Sequence, residues 1–413
     1  MTKFQRIIVL MFYFCLLTTL KTEALIISTR PTTIYTEDDL KLRLVNVVFR
    51  HGDRTTDKNY ESYPNDPYKN NDFYPDGDGQ LTNVGKNRSY ALGLWLRDKY
   101  NSFLGDMYYP PNVYARSTEM SRCKMTLQLV LAALYPPVDR QKWNEKLSWQ
   151  PIDLIYTSRH EDNLLNPSFA CPIFQKIYEN QLQSPEVKKK IEEFNDLMAD
   201  VSKHTGKNIT SVRDLALIYH TLYIESFMGL PLPKWTKNIF PNGTLLNAVY
   251  LDYELFNYNE LNNLNGGVLL NRIINDMNKV INKTLPDRRI NLFSAHDVNV
   301  VGLLYALNIS VIFRRHFPTF TSSVIVELYE DDGEYLVKVL YYLGIPSEIR
   351  EINIPGCEVL CPYNKFVELT KSTTALKGVP LLRSGTTSGT GVQVKKNIQM
   401  TILLSSFFLL YMV

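Results

Sequence analysis

Residues 42–54 read LRLVNVVFRHGDR. The first eight are apolar apart from Arg43 and Asn46 and are rich in valine and leucine, which predicts a strand buried on both faces. The apolar run stops at Arg50, and Arg50-His51-Gly52-Asp53-Arg54 follows directly. Open α/β sheets bind ligands at the carboxyl ends of their strands, so a cluster of charge at the end of a buried strand suits an α/β fold with a site there.

Working outward, residues 60–80 are dense in Pro, Asn, Asp, Gly and Tyr. They predict a long loop able to cover a site. Residues 81–100 have helical spacing, with Leu92, Trp95 and Leu96 on one face. A short strand over 112–115 ends at Arg116, with Ser117 placed to cap the next helix and Glu119 in its first turn. Met120, Cys123, Leu127, Leu131 and Leu134 repeat at helical spacing until Pro136-Pro137. Residues 151–264 read as mainly helical, a smaller domain inserted between two parts of an α/β domain, 40–150 and 265–370. A helix runs from Gly266-Gly267 to about 281, a strand over 289–295 ends at His296-Asp297, and a helix follows over 298–307. Strands over 323–329 and 335–343 flank Asp332-Gly333, a hairpin signal.

The chain has 413 residues and a formal charge of +3, with no basic block or aromatic-basic stripe that would suit nucleic acid. Residues 1–24 read as a signal peptide: Lys3 and Arg6, an apolar run over 7–20, and a cut after Ala24. Residues 371–397 form a linker containing the small residues Ser384 and Ser388, and 398–413 are an uncharged apolar tail. Small residues, spacer and tail favour a GPI signal, and sixteen residues fall short of the ~20 of a spanning helix, which stays as the alternative. Membrane attachment through the C-terminus is expected either way.

With Cys15 removed in the signal, Cys123, Cys171, Cys357 and Cys361 remain. An even number in an oxidising compartment suggests two disulfides. Cys357 and Cys361 can close a small loop, which would leave Cys123 and Cys171 to each other; three pairings are possible. The spacing fits no zinc motif, so no metal site is expected. Asn87, Asn208, Asn242, Asn282 and Asn308 open Asn-x-Ser/Thr sequons and are candidate glycan sites.

Three strands thus end in cationic or ionisable residues: Arg50-His51 with Arg54, Arg116, and His296-Asp297. Arginine binds phosphate oxygens in bidentate fashion and keeps its charge. If the strands share a sheet, their ends form an oxyanion site; spacing alone leaves that open.

Arg50-His51-Gly52-Asp53-Arg54 resembles the signature of the histidine acid phosphatases, especially the insect venom and lysosomal-type members. Further matches are Leu81-Thr82-x-x-Gly85, VYARSTEMSRCKMTLQLVLAALYPP over 113–137, Asn265-Gly266-Gly267, Ser294-Ala295-His296-Asp297 and Pro355-Gly356-Cys357 through Cys361-Pro362. The likeness spans about 40–370. It implies a phosphoglycerate-mutase-like fold, a mixed sheet with helices on both faces plus a smaller helical domain. It also implies His51 as the nucleophile, Arg50, Arg54 and Arg116 as phosphate ligands, His296 as a further phosphate ligand, and Asp297 as proton donor to the leaving group. A phosphomonoester substrate and a possible homodimer follow. No cofactor is called for, because arginines carry the charge that a metal supplies elsewhere.

One departure is Thr56, where the family usually has proline; its loss could loosen the turn. His160, His204, His220 and His316 read as structural or solvent-facing, and Arg122, Arg314 and Arg315 as surface or helix-end charges. Asp53 is expected to orient an arginine. The rival readings are a non-catalytic surface glycoprotein and a specialised phytase or lipid-phosphate phosphatase.

Overall fold

In the computed structural model, which describes residues 40–309 and 315–375, the apolar run before Arg50 becomes β1 (Lys41–Arg50). The other strands are β2 (Val113–Ser117), β3 (Ile155–Tyr156), β4 (Ile290–Ala295), β5 (Ser323–Asp331), β6 (Glu334–Tyr342), β7 (Ile349–Ile352) and β8 (Cys361–Pro362). They form one eight-stranded mixed sheet in the order β3-β2-β4-β1-β5-β6-β7, with β8 on β6. β3, β2, β4 and β1 run parallel, while β5, β6 and β7 alternate in direction.

The near-continuous apolar run of β1 has a direct cause. Leu44 and Val48 enter the core on one face, and Val45, Val47 and Phe49 enter the core on the other. Each such fully buried side chain contributes roughly 1.5–3 kcal/mol. Asn46, the polar interruption, is buried but paired: its Nδ2 donates to Val326 O, and its Oδ1 accepts from Asn291 Nδ2.

Helices of two turns or more are α1 (Asn83–Lys99), α2 (Ser121–Leu134), α3 (Pro172–Leu182), α4 (Pro185–Glu192), α5 (Asn195–Thr205), α6 (Val212–Phe227), α7 (Thr244–Phe256), α8 (Gly266–Ile281), α9 (Asp297–Ala306) and α10 (Tyr363–Thr374). α1 and α2 cover one face of the sheet, and α8, α9 and α10 the other. α4 to α7 surround a core that includes Leu215, Leu222 and Val249, completed by Val301, Phe317 and Phe320 from the C-terminal half. α6 opens on a capping box, in which Ser211 Oγ accepts from Asp214 N and Asp214 Oδ2 accepts from Ser211 N.

Three expectations are corrected. Ser117 does not cap a helix: pairing with β4 continues through Arg116↔Phe293 and Ser117↔Ser294, so Ser117 ends the strand and α2 starts at Ser121. Cys123 and Cys171 are not bonded to each other; both are buried free thiols, and Cys123 Sγ sits 3.4 Å from Ala295 O beneath the strand ends. Third, the long loop over 60–80 begins with a one-turn helix, Lys58–Glu61, capped by Asp57. The expected Cys357–Cys361 bond is formed. Short β3, β7 and β8 went unpredicted, because two to four residues carry too little periodicity to read.

The signal segment, linker, apolar tail and Arg314 lie outside the described residues. Among the described residues no helix is long and apolar enough to cross a membrane.

Candidate active site

The parallel register sets the strand ends side by side. Arg50 aligns with Ala295 and Ser117 with Ser294, and His51 N donates to Ala295 O at 3.1 Å. His51 and His296 therefore leave adjacent strands at the same level. Their rings meet edge-on with centroids 5.6 Å apart. They line a cavity of about 360 Å³ together with Arg50, Arg54, Arg122, His220 and Asp297. Two of the three predicted strand ends converge here. Arg116, from the third, is absent from the lining.

His51 Nδ1 lies 2.9 Å from Gly52 O. A carbonyl only accepts, so Nδ1 carries the proton and Nε2 keeps its lone pair. Burial, then Arg122, Arg54, Arg50 and His296, holds the His51 pKa well below the ordinary histidine value. The ring therefore stays neutral in mild acid. Gly52 and Gly85 make this loop possible. A Cβ on Gly52 would stand 2.5 Å from Gly85 O, and one on Gly85 would stand 1.9 Å from Asp53 O.

Each arginine is oriented by its own partner. Arg50 NH1 donates to Pro318 O at 2.6 Å, NH2 reaches Asp297 Oδ2 at 3.2 Å, and its guanidinium lies over Phe320 and Phe317 at 4.7 and 5.0 Å. Arg54 is held bidentate by Glu61. Burial opposes charge on both, but pairing outweighs it, so Glu61 sits below and Arg54 above the ordinary value. Arg122 NH1 points to Asp57 Oδ2 at 3.4 Å. Among the described residues the Nε groups of Arg50, Arg54 and Arg122 have no acceptor.

Arg116 and Arg122 are thus placed differently from the expectation, Arg122 lining the cavity and Arg116 outside it. Arg116 NH2 donates to Asp162 at 2.6 Å and to Thr157 at 3.1 Å. Asp162 also accepts from Leu164 N and Leu165 N, so Arg116 braces the segment that carries Leu165 and Asn166 to the pocket wall. Arg122 is no surface charge; its side chain is 11% exposed. It occupies the first turn of α2 and lines the pocket. The signal was its place six residues past Arg116 in the same motif.

Asp297 begins α9, and its Oδ1 accepts from Val298 N at 2.8 Å. Burial pushes its carboxyl up, but Arg50, His220 and His296 outweigh that and hold it well below the usual carboxylate range. His296 Nε2 lies 3.2 Å from Thr118 Oγ1; burial and Arg122 lower its pKa to about 3. Asp53 does orient an arginine, but the partner is Arg88, at 2.7 and 3.3 Å, outside the signature. The turn at Thr56 is held without proline: Gly79 N donates to Thr56 O, and Thr55 Oγ1 to Gly77 O. His220, read as structural, lines the cavity. Among the described residues no cluster of three or more His, Cys, Asp or Glu could hold a metal.

Comparison with known proteins places this geometry. Residues 41–342 match the histidine phosphatase superfamily (branch 2). A venom acid phosphatase of Apis mellifera is 46% identical over 334 residues, covering 80% of this chain and 85% of that protein. Prostatic acid phosphatase of Homo sapiens is 35% identical, covering 80% of this chain and 84% of its own. Among solved structures, the phytase of Klebsiella sp. ASR1 superposes with a TM-score of 0.60 at 18% identity, over 81% of this chain and 95% of that one, a likeness of fold alone.

Proposed function

The chain belongs to the histidine phosphatase superfamily (branch 2) and is an acid phosphatase that hydrolyses phosphate monoesters, and we propose that it does so with His51 as nucleophile and Asp297 as acid. His51 Nε2 attacks phosphorus in line, and the P–O bond to the alcohol breaks. Arg50, Arg54, Arg122 and His296 hold the three nonbridging oxygens; Arg122 takes the place first given to Arg116. Asp297 protonates the leaving oxygen, and water then cleaves the P–N bond. A substrate dianion disfavours the negative charge on Asp297 and raises its pKa toward the working range.

The observation that carries this reading is the His51 Nδ1 contact to Gly52 O, which leaves Nε2 unprotonated inside a cage of arginines. Trapping tests it. Protein quenched in alkali during turnover should carry an acid-labile, alkali-stable phosphate on the peptide containing His51. Label on a serine or cysteine would overturn the assignment. The relatives being acid phosphatases, neither the non-catalytic glycoprotein nor the specialised phytase is favoured.

The same reading places the protein in the secretory pathway, with cleavage after Ala24 and a GPI signal at the C-terminus. Asn87, Asn208, Asn242, Asn282 and Asn308 are all exposed, which supports glycosylation. Edge strand β3 exposes Ile155 and Tyr156, which supports a homodimer through that edge. Residues 151–264, built mostly of helices with a largely separate core, support a helical domain set into the α/β part.

A further inference from the structure

His220 stands on α6, in a different layer from the strand ends, yet its Nε2 lies 3.6 Å from Asp297 Oδ2. It is 8% exposed and lines the same cavity as His51. Its ring packs on Phe317, centroids 5.5 Å apart, the aromatic that also carries the Arg50 guanidinium. Its neighbour Thr221 donates through Oγ1 to Glu61 O, tying this turn of α6 to the Arg54 clamp. The imidazole is therefore fixed in place and aimed at one carboxylate oxygen.

We infer that His220 is a positioning residue for Asp297, holding the proton that Asp297 delivers to the leaving group and keeping Oδ2 turned toward it. The inference rests on the roles given to His51 and Asp297 above. The His220–Asp297 couple takes up one proton as the substrate dianion enters. That proton rests on His220 Nε2 and passes to Asp297. As the His51 Nε2–P bond forms, the P–O bond breaks with its electron pair on the alcohol oxygen, which takes the proton from Asp297. In the second half, water oxygen bonds to phosphorus, the P–N pair returns to His51, and the water proton goes back to the couple. The couple gains one proton when substrate binds, has it again once the P–N bond is cleaved, and releases it as phosphate leaves, so no other reactant is needed.

The charges around the ring bear on that proton from every side. Asp297 from α9 and Glu61 from the one-turn helix favour it; Arg50 from β1 and Arg213 from α6 oppose it. Tyr253 from α7 faces Asp297, which with burial pushes that phenol well above its ordinary value, so it stays neutral. With burial the largest influence, His220 is lowered to about 4 with no substrate bound. The dianion adds negative charge beside the couple and raises both members.

The test is kinetic. His220→Gln keeps bulk and a donor but carries no proton. It should lower kcat on glycerol phosphate, a poor leaving group, by about ten- to a hundredfold, with nitrophenyl phosphate within about threefold and KM little changed. The rise of kcat toward acid pH should flatten. Added to Asp297→Asn it should cost nothing further, because both act through one proton. Equal losses on both substrates, an unchanged pH profile, or additive losses would overturn the inference. If Asp297→Asn itself slowed both substrates equally, the acid role of Asp297 would fail instead. In the intact wild-type protein, NMR of the His220 ring should show it gaining a proton on binding tartrate at about pH 6; a ring that stays neutral overturns the inference without any variant.

Discussion

Arg50, His51 and Asp297 stand at the ends of β1 and β4, whereas at the mouth of the same cavity Tyr60 and Phe169 stand on one-turn helices, Lys58–Glu61 and Pro167–Ala170, and Arg159 on a turn. At the floor Arg50 and Arg54 are buried and Arg122 nearly so, each paired with a carboxylate or carbonyl. At the mouth the Arg159 guanidinium stacks on Phe169 at 3.5 Å, and its NH1 donates to Tyr60 OH at 2.7 Å. Tyr60 and Phe169 are each 47% exposed. The floor faces the phosphate, which every substrate brings; the mouth faces the alcohol, which differs between substrates. The first must be rigid to stabilise one transition state, and the second can change without harming the chemistry.

The comparison breaks most sharply at His51. His51→Ala should lower kcat by about 10⁴-fold or more on nitrophenyl phosphate in steady-state assays, because it removes the imidazole that takes the phosphoryl group. Next come two arginines, Arg122 in the first turn of α2 and Arg116 in β2. Arg122→Ala should cost about 10²- to 10³-fold in kcat/KM, as the loss of a transition-state donor does. Arg116→Ala should cost under about tenfold and should instead lower the thermal midpoint, since it would leave Asp162 buried without its cation. The reverse order would return Arg116 to the floor.

At the mouth, Arg159→Ala should change kcat/KM by about tenfold or less, by an amount that depends on the alcohol. A uniform hundredfold loss across a panel of phosphomonoesters would make Arg159 part of the floor. The smallest effect concerns stability. Glu225 on α6 is buried against Asp66, and burial with that neighbour raises its pKa from 4.5 to about 8. A raised acid stabilises the fold while protonated, so this contribution is full below 4.5 and is lost as pH rises toward about 8. His220 and His296 work oppositely: their lowered values, about 4 and 3, mean stability lost as pH falls from 6.5 through those values. Glu225→Gln should flatten the alkaline decline of the thermal midpoint by a few degrees and leave the acid decline alone.

The floor was largely legible in the sequence because its residues follow buried strands directly. Arg50, His51, Arg54, His296 and Asp297 are each within a few residues of a strand end, so reading the strand locates the group. Arg122 escapes because a helix cap at Ser117 starts α2 three residues early, whereas β2 runs through Ser117 and α2 is capped at Met120. His220 escaped for a different reason. No local pattern ties α6 to β4, and only the packing of the helical segment onto Phe317 and Phe320 brings the imidazole to Asp297. The cysteines show the limit of counting: an even number allowed a second bond that the burial of Cys123 beside Ala295 does not form.

The contact between Gly52 and the first turn of α1 reaches beyond sterics. With no room for a methyl on either glycine, the nucleophile loop and that helical turn have no slack between them. Opening either one exposes backbone packed against the other, so they should behave as one cooperative unit in amide hydrogen exchange. The amides of His51 and Gly52 should exchange at the pace of the opening of α1, much more slowly than those of an ordinary loop. The order of the catalytic loop is then underwritten by a whole helix, which frees the mouth above it to breathe.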